Sequence, residues 1–178
     1  DDGGASAGEA YVVFGSAAGF GTPDGAGRQV IDLTTLSPGQ GFVIQGDAAG
    51  DQAGIDVSSA GDVNGDGYAD VIVGANLYDD GSSNEGAAFL FLGSATGIAS
   101  ASPATAATVL ESDQADAFFG FRVAGAGDVN GDGFGDVIVG SVLYDSGESD
   151  EGAAFVFLGS ASGISNGTPA NAAKIGRA

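Results

Sequence analysis

Apolar and polar positions alternate along this chain in short stretches that end at glycine. Residues 55–61 read IDVSSAG and residues 121–127 read FRVAGAG, and an acidic loop follows each. A β-branched run comes next, DVIVGA at 70–75 or DVIVGS at 136–141. Alternation predicts a half-buried strand, and a short apolar run predicts a fully buried one. Because no stretch sustains the 3.6-residue period of an amphipathic helix, the pattern predicts an all-β chain.

Two further strands are predicted after each of these pairs. The third is AAFLFLGS at 87–94 or AAFVFLGS at 153–160. The fourth is weaker, and its three copies are FVIQG at 42–46, TVLES at 108–112 and AKIGR at 173–177. Four short antiparallel strands per unit, separated by glycine-rich turns, are typical of a β-propeller blade.

The chain repeats itself with a period of 66 residues. Residues 61–98 align without a gap with residues 127–164, and 29 of the 38 positions are identical. Residues 1–16 align with 79–94, which makes the start of the chain a partial copy. The repeat therefore predicts a partial blade with an insertion and two whole blades, at residues 1–46, 47–112 and 113–178.

The acidic loop presents oxygen atoms at alternate positions, as a loop wrapped around a hard cation does. Such cations take six to eight oxygen ligands, and glycines between the acids permit the tight curvature. Tyr68 and Phe134 cannot bind a cation through their rings, so their backbone carbonyls are the candidates. The predicted calcium ligands are Asp62, Asn64, Asp66, Tyr68 and Asp70 in one loop and Asp128, Asn130, Asp132, Phe134 and Asp136 in the other.

The length and surroundings of the loop distinguish it from other acidic loops. An EF-hand or a dockerin loop has its last acid at position 12 and continues into a helix, whereas position 12 here is Val73 or Val139, within a predicted strand. An Asx-rich turn without metal is the main alternative, because Asn-Gly and Asp-Gly are strong turn formers. Mg²⁺ suits the loop less well than Ca²⁺, because it keeps several waters in an octahedral shell. Two intact copies favour two calcium sites.

The charge of the chain supports a cation and excludes several partners. There are 24 Asp and Glu residues against 4 Lys and Arg residues, a net charge of −20. No basic patch could bind nucleic acid or an anionic membrane surface. Because His and Cys are absent, neither a Ser–His–Asp nor a Cys–His catalytic group can form, and we expect no enzymatic activity.

Residues 118–160, FFGFRVAGAGDVNGDGFGDVIVGSVLYDSGESDEGAAFVFLGS, resemble the FG-GAP repeat of integrin α-subunit propellers and of many bacterial secreted or surface proteins. The FG is Phe119 and Gly120, and the GAP-like element is GSV at 140–142. In the other unit Ala53 and Gly54 replace the FG, and GAN at 74–76 replaces the GAP. The resemblance implies a ring of seven blades, with calcium in the hairpin between the first two strands of a blade. By position it implies the same ten ligands.

Two and a half blades do not close such a ring, so we expect either a piece of a longer chain, which we favour, or copies that assemble. The leading hypothesis is an extracellular or cell-surface calcium-binding module for adhesion, which recognises another protein or a surface glycan and in which calcium is structural. The alternative is a repeat scaffold of a surface layer, fibre or large assembly. A dedicated lectin is a third possibility, although most Phe and Tyr residues fall in predicted strands, where they suit a core rather than a sugar platform.

Overall fold

A computed structural model describes residues 3–17 and 19–173 of the chain. It is built from eleven β-strands and two single-turn 3₁₀ helices. The strands are β1 (Glu9–Val13), β2 (Thr22–Pro23), β3 (Gln29–Val30), β4 (Gly41–Gln45), β5 (Asp56–Gly61), β6 (Asp70–Ala75), β7 (Ala87–Phe91), β8 (Thr108–Glu111), β9 (Phe119–Gly127), β10 (Asp136–Ser141) and β11 (Ala153–Phe157). The 3₁₀ helices are Leu33–Thr35 and Pro103–Thr105. The prediction of an all-β chain is confirmed.

The strands form three principal sheets and one small hairpin, β2–β3. The N-terminal sheet pairs β1 with β4, the middle sheet has the order β5-β6-β7-β8, and the C-terminal sheet has the order β9-β10-β11. Every pairing between these strands is antiparallel. The middle sheet is therefore the four-stranded meander that the sequence predicts, and the small hairpin lies in the insertion between β1 and β4.

The predicted bounds of β4, β5, β8 and β9 differ from the structure by one or two residues, and the ends of the two third strands differ by three. The third strands stop at Phe91 and Phe157 instead of reaching residues 94 and 160. The reason is a change of hydrogen-bond partner, since the Gly93 and Gly159 N–H groups donate to the side chains of Asp70 and Asp136 rather than to a neighbouring strand. The fourth strand predicted at 173–177 falls mostly outside the described residues. Within them, Ala173 forms an antiparallel bridge with Val156.

Each pair of neighbouring sheets encloses one hydrophobic cluster. Between the N-terminal and middle sheets the buried members include Phe42, Ile44 and Phe89. Between the middle and C-terminal sheets they include Leu90, Leu110 and Phe119. The core therefore lies in the two seams between sheets, and each sheet is stabilised by its neighbour.

The glycine of the FG pair allows the sheets to approach each other closely. Gly120 has a φ of +79°, and a Cβ added to it would lie 2.1 Å from the carbonyl oxygen of Ala87 in the middle sheet. The Phe119 N–H donates to the Glu85 carbonyl at 2.9 Å. The Ala53 N–H donates in the same way to the Ala7 carbonyl at 2.8 Å, so the seam keeps its geometry where alanine replaces phenylalanine.

Candidate metal centre

Each acidic loop joins the first two strands of its sheet, residues 62–69 between β5 and β6 and residues 128–135 between β9 and β10. The pairing shifts register at the base of both hairpins, between Ser59 and Gly61 and between Asp136 and Val137. Such bulges increase the local twist and redirect the strand. The structure thus places the first four predicted residues of each set in one hairpin turn and the fifth, Asp70 or Asp136, at the first residue of the following strand.

The first acid of each loop accepts hydrogen bonds from the backbone of the turn. In the middle sheet, the Asp62 carboxylate accepts from the N–H groups of Gly65 at 2.7 Å, Asp66 at 3.1 Å and Gly67 at 2.8 Å. In the C-terminal sheet, the Asp128 carboxylate accepts from the N–H groups of the equivalent residues Gly131, Asp132 and Gly133 at 2.7, 3.0 and 2.9 Å. The N–H of Gly133, followed by those of Gly131 and Asp132, lowers the pKa of Asp128.

The third and fifth positions are joined to each other. The Asn64 side-chain amide donates to Asp66 Oδ2 at 2.9 Å, and Asp66 Oδ1 accepts from the Tyr68 N–H at 2.9 Å. In the second loop the corresponding bonds, Asn130 to Asp132 and Phe134 N–H to Asp132, measure 2.8 and 3.0 Å. The two copies therefore repeat the same hydrogen bonds to within about a tenth of an ångström.

The ninth position differs from the others because it is fully buried in both copies. Asp70 accepts from the N–H groups of Val63 at 2.8 Å and Gly93 at 2.7 Å. Asp136 accepts from Val129 and Gly159 at 2.7 and 2.8 Å. This carboxylate ties the start of the loop to the end of the third strand. This role of Gly93 and Gly159 was not predicted, although the FLGS in which each lies occurs in both repeats.

Burial and neighbouring charge act together on Asp70. Loss of solvent raises the pKa of its carboxyl, the N–H donors Gly93 and Val63 oppose that shift, and the negative charges of Asp66 and Asp62 add to it. The carboxylates of one loop therefore lie close enough to repel each other. Such repulsion is what a bound cation would relieve.

The oxygen atoms of each hairpin meet the requirements of calcium in their chemistry but not in their arrangement. In the part of the chain that the structure describes, no group of three or more acidic side chains is arranged so that it could hold a metal ion. The carboxylates are turned toward backbone N–H groups, as in an Asx-rich turn. Each carboxylate oxygen has two lone pairs, so one can accept an N–H while the other faces a cation. Each hairpin offers carboxylates, one side-chain amide oxygen and one backbone carbonyl. These are the oxygen ligands that calcium takes in proteins, so the residues fit this ion by their chemistry.

A second group of acidic residues lies at the opposite end of the middle sheet. Among residues 3–17 and 19–173, four side chains have a buried oxygen without a hydrogen-bond partner, namely Asp51, Asn76, Glu85 and Glu111. Loss of solvent, followed by the charges of Asp47 and Asp79, raises the pKa of Asp51 to about 6. Burial and the charges of Asp80, Glu85 and Asp113 raise the pKa of Glu111. These acids were not singled out from the sequence, since they are far apart along the chain.

Comparison with known proteins supports the family that the loops indicate. The model of the FG-GAP repeat matches residues 53–91 and 119–157. Integrin alpha pat-2 of Caenorhabditis briggsae is 38% identical over 118 residues, which is 65% of this chain and 9% of that protein. Integrin alpha-5 of Xenopus laevis is 33% identical over 93 residues, 52% of this chain and 9% of that protein.

Integrin alpha-6 of Gallus gallus is 32% identical over 123 residues, 68% of this chain. The chain spans about a tenth of the length of these relatives. In the described residues no helix is both long enough and apolar enough to cross a membrane. Both matched segments run from the FG position to the end of the third strand, so they contain the acidic hairpins and the strands that these hairpins join. The chain therefore belongs to the FG-GAP repeat family, and its antiparallel sheets are β-propeller blades.

Proposed function

We propose that this chain is a calcium-stabilised propeller module for adhesion or recognition, with one Ca²⁺ in each acidic hairpin. The observation that carries the proposal is the repeated oxygen set, which has the same local geometry in both hairpins of a chain with a net charge of −20. The ligands would be Asp62, Asn64, Asp66, the Tyr68 carbonyl and Asp70, with Asp128, Asn130, Asp132, the Phe134 carbonyl and Asp136 in the second site.

Calcium in these sites acts on stability rather than on a reaction. It neutralises the loop carboxylates and fixes the hairpin from which the second strand of the blade continues. The sequence contains neither His nor Cys, which agrees with a binding module rather than an enzyme.

The proposed location is outside the cell or on its surface. Extracellular calcium modules bind with dissociation constants of about 10⁻⁴–10⁻³ M, which match the calcium concentration outside cells. The proposed partner is another protein or a surface glycan, bound by the loops that connect the strands. The similarity to integrin α chains supports this partner class.

Chemical unfolding with and without calcium tests the proposal. Where calcium exceeds the dissociation constant by about 10- to 100-fold, each site adds about 1.4–2.7 kcal/mol to the free energy of unfolding. Asp66→Ala removes one site and its share of this gain. Asp80→Ala makes the same charge change at an exposed position outside the hairpins and keeps the full gain. An equal response of both variants to calcium, or none in the parent chain, would refute the metal assignment.

A further inference from the structure

The two acidic hairpins meet in the seam between the middle and C-terminal sheets. The first hairpin is residues 62–69 and the second is residues 128–135. The Asp62 carbonyl accepts from the Gly135 N–H at 2.7 Å, and the Val63 carbonyl accepts from the Ser160 N–H at 3.1 Å. Val63 is 0% exposed and belongs to the hydrophobic cluster between the two sheets. The backbone of the first hairpin is thus held by N–H groups of the neighbouring blade.

One peptide group takes part in both hairpins. The Phe134 carbonyl is a proposed ligand of the second site, and the N–H of the same peptide group is that of Gly135. The described residues contain no cis peptide bond, and in a planar trans group the C=O and N–H point in opposite directions. This carbonyl therefore points away from the first hairpin, while the N–H beside it donates to Asp62 within that hairpin.

A second connection joins the buried carboxylates at the ninth position of the two loops. The Val63 N–H donates to Asp70 at 2.8 Å, and the Val63 carbonyl accepts from Ser160. The residue before Ser160 is Gly159, whose N–H donates to Asp136 at 2.8 Å. Backbone hydrogen bonds therefore lead across the seam from a proposed ligand of the first site to one of the second.

The ring of Phe134 covers the first hairpin. A Cβ built on Gly65 would lie 2.6 Å from Phe134 Cε1, so the ring lies directly against this glycine. The Gly65 N–H is one of the donors to the Asp62 carboxylate. Tyr68, the equivalent of Phe134, lines a cavity with Val12 of the N-terminal sheet instead. The ring contact thus runs in one direction, from the second hairpin to the first.

We propose that the two hairpin sites are coupled across this seam, so that calcium in one site strengthens calcium binding in the other. Phe134 and Gly135 are the positioning residues that carry the coupling, which rests on the calcium sites proposed above. The Phe134 carbonyl, once it is a ligand, polarises its own peptide group, and hydrogen bonds in a chain strengthen one another. The Gly135 N–H then holds Asp62, the first ligand of the other site, more firmly.

Electrostatic repulsion acts against this coupling, because each bound ion reduces the negative charge that attracts the other. Charges in exposed hairpins are screened over about 8 Å at physiological ionic strength. The seam around Val63 is buried, so its hydrogen bonds are screened much less. At that ionic strength we expect joint binding to be favoured at least about fivefold, the lower end of coupling between linked sites.

Single-site variants test the coupling by isothermal titration. Asp66→Ala removes the first site, and Asp132→Ala removes the second while keeping Phe134 and Gly135. We expect the site that remains in each variant to bind calcium at least about fivefold more weakly than it does when its neighbour is loaded, and by the same factor in both variants, because coupling of binding is reciprocal. Two independent sites of unchanged affinity would overturn the coupling.

Phe134→Ala tests the ring contact without removing a ligand, since the proposed ligand is the backbone carbonyl. We expect this variant to weaken calcium binding at the first site and, in a chelator, to speed hydrogen exchange in residues 62–69 several-fold while residues 128–135 exchange as in the parent chain. Tyr68→Ala truncates the equivalent ring of the first hairpin and should leave exchange in residues 128–135 unchanged. Unchanged exchange in the first hairpin of Phe134→Ala would overturn the role of the ring.

The two measurements separate failure of the coupling from failure of the proposed function. A parent chain that binds no calcium would overturn both. A parent chain with two calcium sites, each of which keeps its affinity in Phe134→Ala and after loss of the other site, would overturn the coupling alone.

Discussion

The two predicted whole units, residues 47–112 and 113–178, have nearly the same sequence from the acidic hairpin to the third strand, yet the structure surrounds their two hairpins differently. The hydrogen bonds within the hairpin are the same in both, since Asp62 and Asp128 each accept from three backbone N–H groups. The burial of the hairpin differs, because a neighbouring sheet covers Val63 but not Val129. Local sequence thus determines the turn, and the adjacent blade determines which of its side chains join the core.

The largest expected effect separates the two valines. Val63→Asp puts a carboxylate into a fully buried apolar cluster and should lower the free energy of unfolding by at least about 3 kcal/mol. Val129→Asp adds the same group to an exposed position and should change it by less than about 0.5 kcal/mol. Urea unfolding of both variants at low protein concentration measures the difference, and similar losses would contradict the comparison.

The next largest loss of stability should follow removal of the buried carboxylate at the ninth position, and it should be the same in both units. Asp70→Ala leaves the Val63 and Gly93 N–H groups without their acceptor, and Asp136→Ala does so for Val129 and Gly159. A buried donor without a partner costs about 1–3 kcal/mol, and the relief of a desolvated charge offsets part of that sum. We expect the free energy of unfolding of each variant to fall by about 2–3 kcal/mol in the presence of a chelator. A fall in only one of them would show that the effect of the buried carboxylate depends on the neighbouring sheet.

The smallest effect lies where the two units differ in sequence. Asp51 is buried in the middle unit, and its equivalent in the other unit is Ala117. Because the pKa of Asp51 is raised to about 6, the folded chain binds a proton that the unfolded chain releases between about pH 4 and 6. This group therefore stabilises the fold at low pH, and that contribution is lost as the pH rises through 6.

Asp51→Asn should remove this dependence. The full shift of the Asp51 pKa would correspond to about 3 kcal/mol of stability, but screening by solvent reduces this energy. We therefore expect the free energy of unfolding of the variant to exceed that of the parent chain by about 1–2 kcal/mol at pH 7 and to differ little at pH 4. Unfolding midpoints at the two pH values measure it. A gain of the same size at both would contradict the assignment to ionisation of Asp51.

Much of the fold could be predicted from the sequence because its signals are local. The run DVIVGA predicted the bounds of β6 correctly, since five of its six residues are buried and every position after Asp70 is apolar or small. The ends of β7 and β11 were predicted too far along the chain. There a side chain, Asp70 or Asp136, takes the N–H that a strand partner would otherwise receive, and no residue pattern signals this.

The candidate site could likewise be predicted only in part. The spacing of the acids predicted the hairpin, and the structure brings those positions together at one hairpin. Whether the ten residues bind calcium stays a prediction, as do the unit boundaries and the number of blades in the ring. The contact of Val63 with the next sheet could not be predicted, because Val63 and Val129 have the same neighbours in sequence.

Isothermal titration of the chain with calcium tests the central claim most directly. Two sites are predicted in the parent chain and one in each of the variants Asp62→Ala and Asp128→Ala, with dissociation constants of about 10⁻⁴–10⁻³ M. Asp80→Ala should keep both sites. The absence of binding in the parent chain, or binding that both hairpin variants retain in full, would show that the acidic hairpins are turns stabilised by their own backbone and not calcium sites.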